Sequence, residues 1–453
     1  MCLEHNVDAS GIGATETEET GRASFFEAHS GAKYVPRAVF VDLEPDPIDY
    51  IRLGSHRKLF HPNSFVSSKE SSGGTFARAK CGRTATELLG VTLERIRKFA
   101  ENCDKLEGFV IHHSASGGTG SGFTAALVDK LDNDYRNKPK LAFSVYSEGA
   151  RSEPVVAPYN ELLCVAATQK CETVFCLGGQ TARAQSHRLL RKKGEDQTEE
   201  HTPSFRNVDC LLAQTVSTVT MPMRSGTNVT MNWNITEYSS MLIPYHQIPF
   251  LVTSTAWSSR RSRNHGDGGG GGGDAIGDAR GKGVVCSFDA CKLAKQTLDP
   301  RCNLLGVDIR NHSAMSGMML FRGMNMTYTT LQKAIGGIRG VKDGQVEFVD
   351  WAPCSLRASS LKLPPTVLPE SGLAPSTDLS CTFFGNSTAI HSHFRSIEQQ
   401  VLPMWSKRSH VHWYTREGLE EMEFFDALQI VDNLQQDYED VERDVSSEEA
   451  NDY

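Results

Sequence analysis

The sequence predicts an α/β chain in which a parallel sheet carries helices on both faces. Two observations lead there. Short apolar runs alternate with amphipathic stretches between residues 38 and 146, as strands and crossover helices do. A glycine-rich turn joins one of those strands to the helix after it. A third observation extends the picture: residues 205–221 are apolar and weakly charged over the length of one long central helix.

Residues 38–45, Ala-Val-Phe-Val-Asp-Leu-Glu-Pro, read as a buried strand with Asp42 and Glu44 at its C-terminal tip. Leu89, Leu93, Ile96 and Ala100 recur at helical spacing, with Glu94, Arg95, Arg97 and Lys98 on the other side, which predicts an amphipathic helix. Phe109-Val110-Ile111 is the next strand and runs through His112, His113 and Ser114 into the glycine turn. The two histidines have no partners at metal-ligand spacing and read as strand-end structure. Phe123, Leu127 and Leu131 mark the following helix, and residues 141–146 a further strand. Residues 257–283 break the pattern with an Arg/Ser cluster and an unbroken glycine run at 268–273, a flexible insertion. It has no aromatic between Arg260 and Arg280, so a solvated loop is expected rather than an RNA-binding one.

The 453 residues and 39% hydrophobic content allow two or three domains with buried cores. A net charge of -8 offers no global attraction to nucleic acid or to an acidic membrane, and neither is expected as a partner. Residues 437–453 hold eight carboxylates against Arg443 and no Phe, Trp, Leu or Ile, so a disordered acidic tail is expected there. Twelve cysteines without a CxxC pair read as reduced, mostly buried thiols of a cytosolic protein. The start has no signal-peptide pattern, and no apolar run has the length of a membrane helix.

Ser116-Gly117-Gly118-Thr119-Gly120-Ser121-Gly122 lies between strand and helix. Glycines let the backbone turn tightly and approach an anion, and the N–H groups of the next helix's N-terminus then face it. The spacing is not GxGxxG, and no lysine follows as in a Walker A loop. From the residues alone the turn is either a phosphate cradle or a packing turn.

This run resembles the signature of the tubulin family and departs from it only at Ser116, where the family has a glycine. The likeness continues in residues 35–45, similar to the family's second nucleotide loop, and in Val349-Asp350-Trp351. Lys407-Arg408, Val411-His412-Trp413-Tyr414 and Glu417-Gly418-Leu419-Glu420-Glu421-Met422-Glu423-Phe424 resemble its C-terminal helices. Thr236-Glu237-Tyr238, the long loop at 364–376 and a terminal Tyr453 after an acidic tail resemble the alpha type, whereas Phe384-Gly385-Asn386-Ser387-Thr388 reads more like beta.

The resemblance implies a Rossmann-like GTP-binding domain over 1–180, with the family's first strand missing. A central helix and α+β intermediate domain would follow over 181–386, with the glycine-rich insertion at about 257–283. C-terminal helices would occupy 387–436, and the tail 437–453. The chain opens at Cys2-Leu3-Glu4-His5, which resembles the end of the family's first helix. Without the strand that precedes that helix in the family, two neighbouring strands are expected to show bare edges.

The implied cofactors are GTP and Mg2+. Ser114, Gly117, Gly118, Thr119 and Gly120 would contact phosphates, and Glu44, with Asp42 behind it, would reach magnesium through water. On the base side Phe205 stands where the family stacks a tyrosine, Asp209 where an asparagine reads guanine, and Gln180 where a base- and ribose-holding pair is altered. An ionised Asp209 only accepts hydrogen bonds and cannot donate to guanine O6. Glu237 would act on the GTP of a neighbouring beta subunit, the one GTPase role implied. The expected function is a GTP-binding alpha-tubulin-like subunit that pairs with beta-tubulin in cytoplasmic microtubules and meets motors and tail-modifying enzymes. The alternative is a non-catalytic, assembly-deficient tubulin-like interaction protein or a truncated gene product.

Overall fold

The computed structural model describes residues 1–13, 24–29, 32–147, 154–190, 204–224, 233–258, 287–310, 312–323, 326–339, 346–349, 351–352, 355–366 and 379–451. The insertion beyond Ser258, the loop from 367 to 376 and the terminal Tyr453 lie outside them.

The strands are β1 (Phe26–His29), β2 (Lys33–Pro36), β3 (Phe40–Asp42), β4 (Phe65–Ser67), β5 (Phe109–Ser114), β6 (Lys140–Tyr146), β7 (Thr173–Gly178), β8 (Phe250–Ser258), β9 (Ser313–Arg322), β10 (Glu347–Phe348), β11 (Leu356–Leu361) and β12 (Leu379–Ser387). The main sheet runs in the order β10-β9-β12-β8-β7-β6-β5, with β11 also on β9. From β5 to β8 it is parallel, and β12 enters antiparallel between β8 and β9.

Helices α1 (Pro45–Leu53), α2 (Phe76–Cys81), α3 (Arg83–Glu101), α4 (Thr124–Asp134), α5 (Ala157–Thr168), α6 (Gly179–Leu190), α7 (Phe205–Thr220) and α8 (Ile235–Leu242) serve the N-terminal half. Helices α9 (Ser287–Thr297), α10 (Tyr328–Arg339), α11 (His391–Ser406), α12 (Val411–Thr415) and α13 (Glu421–Asn451) complete the chain.

The sheet is covered on both faces, as the alternation of elements predicts. On one side Leu162, Val165, Phe394, Val431 and Leu434, from α5, α11 and α13, join a cluster that includes Val174, Cys176 and Phe250. On the other, Val208 and Leu211 of α7 and Tyr238 of α8 join Phe143, Phe175 and Leu177. Because β7 is buried on both faces, its sequence Thr-Val-Phe-Cys-Leu-Gly is continuous and does not alternate.

Four expectations change. The strand read at 38–45 is only Phe40–Asp42, because Pro45 and Pro47 preset the helical φ and start α1 with Glu44 as its N-cap. The disordered tail expected from 437 does not begin there: α13 continues to Asn451. Phe424, Ala427, Val431, Leu434 and Tyr438 form one buried stripe at helical spacing, and the Tyr438 hydroxyl donates to the Phe250 carbonyl at 3.3 Å. Trp257 and Ser258, assigned to the insertion, belong to β8 and pair with Ser380 and Leu379. The cysteines are less buried than expected: all ten among the described residues are free thiols, five of them buried and five half-buried.

Among the described residues the bare edges are present: β3 pairs only with β4, in a separate parallel pair, and β5 pairs only with β6. Asp42 at the end of β3 and Thr119 just past β5 are hydrogen-bonded, so the C-terminal ends of the two strands meet although no ladder joins them. Phe40 and Val41, and Phe109, Val110 and Ile111, are only half-buried, while β7 is wholly buried.

Candidate functional site

The site is built on the C-terminal edge of the parallel strands, where open α/β sheets bind ligands. Ser114 closes β5, and its hydroxyl lies 3.1 Å from that of Ser116. A π-type turn, Thr119–Phe123, then leads into α4, a local widening that often marks functional sites. The glycines have two different reasons. A side chain at Gly118 would lie 2.6 Å from the Ser72 hydroxyl and 2.8 Å from the Thr75 nitrogen, and one at Gly120 would collide with the Ser114 carbonyl. Gly117 instead faces open space, with only the Ser114 hydroxyl within 4 Å. The turn is therefore packed from behind and bare in front.

Asp42 and Glu44 reach the same turn. The Thr119 hydroxyl donates to Asp42 Oδ1 at 3.0 Å, and the Glu44 N–H donates to the same oxygen at 3.2 Å. The Ser71 hydroxyl donates to the Glu44 carboxylate. Two carboxylates beside a phosphate cradle repel an anion unless a cation stands between them, and oxygen ligands of this kind suit Mg2+.

Ser71 introduces a second loop, Ser71-Ser72-Gly73-Gly74-Thr75, that sequence reasoning passed over. Gly73 and Gly74 take φ of +59° and +68°, values that glycine adopts without strain. Asn160, fully buried on α5, ties this loop to the first: its amide donates to the carbonyls of Gly74 and Ser116, both at 2.8 Å. Its carbonyl accepts from the Phe76 N–H at 3.0 Å and from the Tyr414 hydroxyl at 2.7 Å. The Ser-Ser-Gly-Gly-Thr cluster is a legible turn signal; nothing in the sequence marks Asn160.

Gln180 lies on α6, and Phe205 and Asp209 lie on α7. Gln180 is exposed in the first turn of α6, one turn before Arg183. The Arg183 guanidinium stands 5.8 Å from the centroid of the Phe205 ring. Phe205 opens α7 and is 72% exposed, and Asp209 follows one turn later on the same face. Asp209 is itself exposed, yet neighbouring protein desolvates it enough to push its carboxyl above the usual aspartate value. The residues on the phosphate side fit a nucleotide. On the base side an aromatic platform is present, but the group at Asp209 is an acid.

Glu237 lies apart, in the first turn of α8. Its carboxylate accepts from the Asn234 N–H at 3.1 Å while the Asn234 side chain caps the helix in return, a reciprocal capping box. The carboxylate is exposed. His113 is buried, bonded to the Ser144 hydroxyl at 2.8 Å and pushed down to about 4 by desolvation.

Residues 1–181 match the GTPase domain of the Tubulin/FtsZ family, and residues 282–399 match the tubulin C-terminal domain. The chain is 33% identical to the tubulin alpha chain of Pneumocystis carinii over 98% of this chain and 92% of that one. It is 34% identical to the alpha chain of Eremothecium gossypii, over 99% and 94%, and 32% identical to the tubulin alpha-2 chain of Caenorhabditis elegans, over 98% and 92%. A doubly covered parallel sheet with a glycine cradle at its C-terminal edge defines a nucleotide-binding α/β class of protein. Within that class the chain belongs to the tubulin family, as a divergent relative of the alpha chains.

Proposed function

We propose that this chain is a GTP-binding, alpha-tubulin-like subunit that pairs with a beta-tubulin and works in cytoplasmic microtubules. The observation that carries the reading is the docking of the β3 tip onto the glycine turn through Asp42 and Thr119. It sets two carboxylates beside a cradle whose front, at Gly117, is open. Bound there, GTP with Mg2+ supplies the charge that the turn's N–H groups and the two carboxylates are arranged to share. Ser114, Gly117, Gly118, Thr119 and Gly120 would hold phosphates, Glu44 and Asp42 the hydrated metal, and Phe205, Asp209 and Gln180 the base and ribose. Glu237, exposed on α8, would serve the nucleotide of a partner beta subunit.

The experiment measures retention of labelled GTP by the purified chain and its co-sedimentation with beta-tubulin in polymer. Retention that falls on Glu44→Ala or Gly117→Val, together with co-sedimentation, is the expected result. A folded chain that does neither overturns the reading and favours an assembly-deficient interaction protein, which the acid at Asp209 supports.

A further inference from the structure

We propose that His312, His391 and Glu442 form a site for a divalent transition metal of the Zn2+ type, which clamps the C-terminal helix α13 to the sheet. His312 directly precedes β9, His391 opens α11, and Glu442 lies on α13. One ligand atom from each residue lies within 4.8 Å of the other two. His312 Nδ1 stands 2.9 Å from Glu442 Oε1, and the two imidazoles are 5.3 Å apart with their planes at 74°. Ligands at about 2.0–2.1 Å from a tetrahedral ion are about 3.4 Å from one another, so shifts of about 1 Å close the set.

His391 is held as a ligating imidazole usually is. Its Nδ1 is 2.7 Å from the Thr388 carbonyl. It therefore donates a proton there, which leaves Nε2 with the lone pair, and such a carbonyl partner fixes both tautomer and ring orientation. Two imidazoles and one carboxylate, with water in the fourth position, suit Zn2+, whereas Mg2+ prefers an all-oxygen shell. None of the three side chains is freely exposed. The site shares no residue with the nucleotide cradle, so its role is to fasten the helix that carries the acidic C-terminal residues.

The test uses the full chain, stripped of metal by chelation and titrated with Zn2+, Co2+ or Mg2+ alone. Zn2+ is expected to raise the thermal midpoint by several degrees in the wild type and not in H312N/E442Q, whereas any rise with Mg2+ is the same in both. Co2+ is expected to show the visible absorption of a four-coordinate nitrogen and oxygen site. Glu442→Gln and His312→Asn, both at half-buried positions and checked for folding by circular dichroism, should each weaken Zn2+ binding about tenfold or more. His391→Ala should abolish the Co2+ spectrum. Zn2+ affinity unchanged in the folded double variant H312N/E442Q overturns the proposal. So does a Co2+ spectrum dominated by thiolate charge-transfer bands, which would assign the metal to cysteines.

Discussion

On the proposed reading, Asp209 governs how the base side behaves. It sits one helical turn after Phe205, on the face that Arg183 approaches. If it contacts guanine in its ionised form, an acceptor meets an acceptor. Its carboxyl is held above the ordinary value by desolvation, so the neutral form, which can donate, is populated at higher pH than in a free aspartate. GTP affinity should therefore rise as the pH falls toward that raised value. Asp209→Asn should bind GTP more tightly at neutral pH by about 1–3 kcal/mol, the scale of one relieved polar mismatch, and should lose the pH dependence. Titration of a fluorescent GTP analogue at neutral and mildly acidic pH measures both, and equal affinities at neutral pH would remove Asp209 from the base contact. The placement of Ser114, Gly117 and Asp42 at strand ends and in the turn could be read from the sequence, because a turn between a strand and a helix constrains residue type locally. Asn160 could not, since its four partners come from segments as far as 254 residues away.

Elements are joined by a buried charge cluster that the sequence did not announce. Glu4, in the N-terminal turn, pairs with Arg224 just past α7 at 2.6 Å and with Arg322 at the end of β9 at 2.7 Å. The Ser217 hydroxyl adds a bond at 2.6 Å. All three charged groups are buried. Burial alone would raise the Glu4 carboxyl, but the two guanidiniums outweigh it and hold it far below the usual carboxylate range. Burial also lowers Arg224, but from a starting value so high that it stays charged at neutral pH. A depressed acid stabilises the fold above its unfolded value of about 4.3, and that contribution is lost as the pH falls through the folded value. Glu4→Gln should leave two buried guanidiniums without a counter-charge and cost about 3–5 kcal/mol at neutral pH. In urea unfolding, wild type and variant should converge as the pH falls below about 4. A variant as stable as wild type at pH 7 would show the cluster to be dispensable. Only the contact order of the fold, over 200 residues between Glu4 and either arginine, makes this cluster, and periodicity cannot report it.

At the scale of the whole molecule, the alternating pattern and the tubulin signature made the doubly covered sheet legible, because local periodicity records which faces are buried. Composition over residues 437–453 does not show that α13 continues, because Tyr438, the anchoring residue, is outnumbered there by carboxylates. On the proposed reading, function at this scale depends on assembly, and Glu237 is where that can be tested. In the structure its carboxylate spans the N-terminus of α8 by bonding Asn234, so it is held in a fixed place on the surface. Hydrolysis needs a group that orients or deprotonates the attacking water. A carboxylate fixed on one subunit can offer this to a nucleotide on the next, which couples hydrolysis to contact between subunits. Replacing Glu237 by alanine also removes half of a capping box, and that alone should cost about 1 kcal/mol of stability. The two roles therefore need separate readouts. In polymers formed with beta-tubulin, Glu237→Ala should abolish phosphate release from the partner while this chain keeps its own nucleotide. Glu237→Gln should preserve much of the cap, because glutamine also serves at this position, and yet release phosphate as slowly as the alanine variant. Phosphate release at the wild-type rate in both variants, with only the thermal midpoint lowered in the alanine form, would reduce Glu237 to a helix cap.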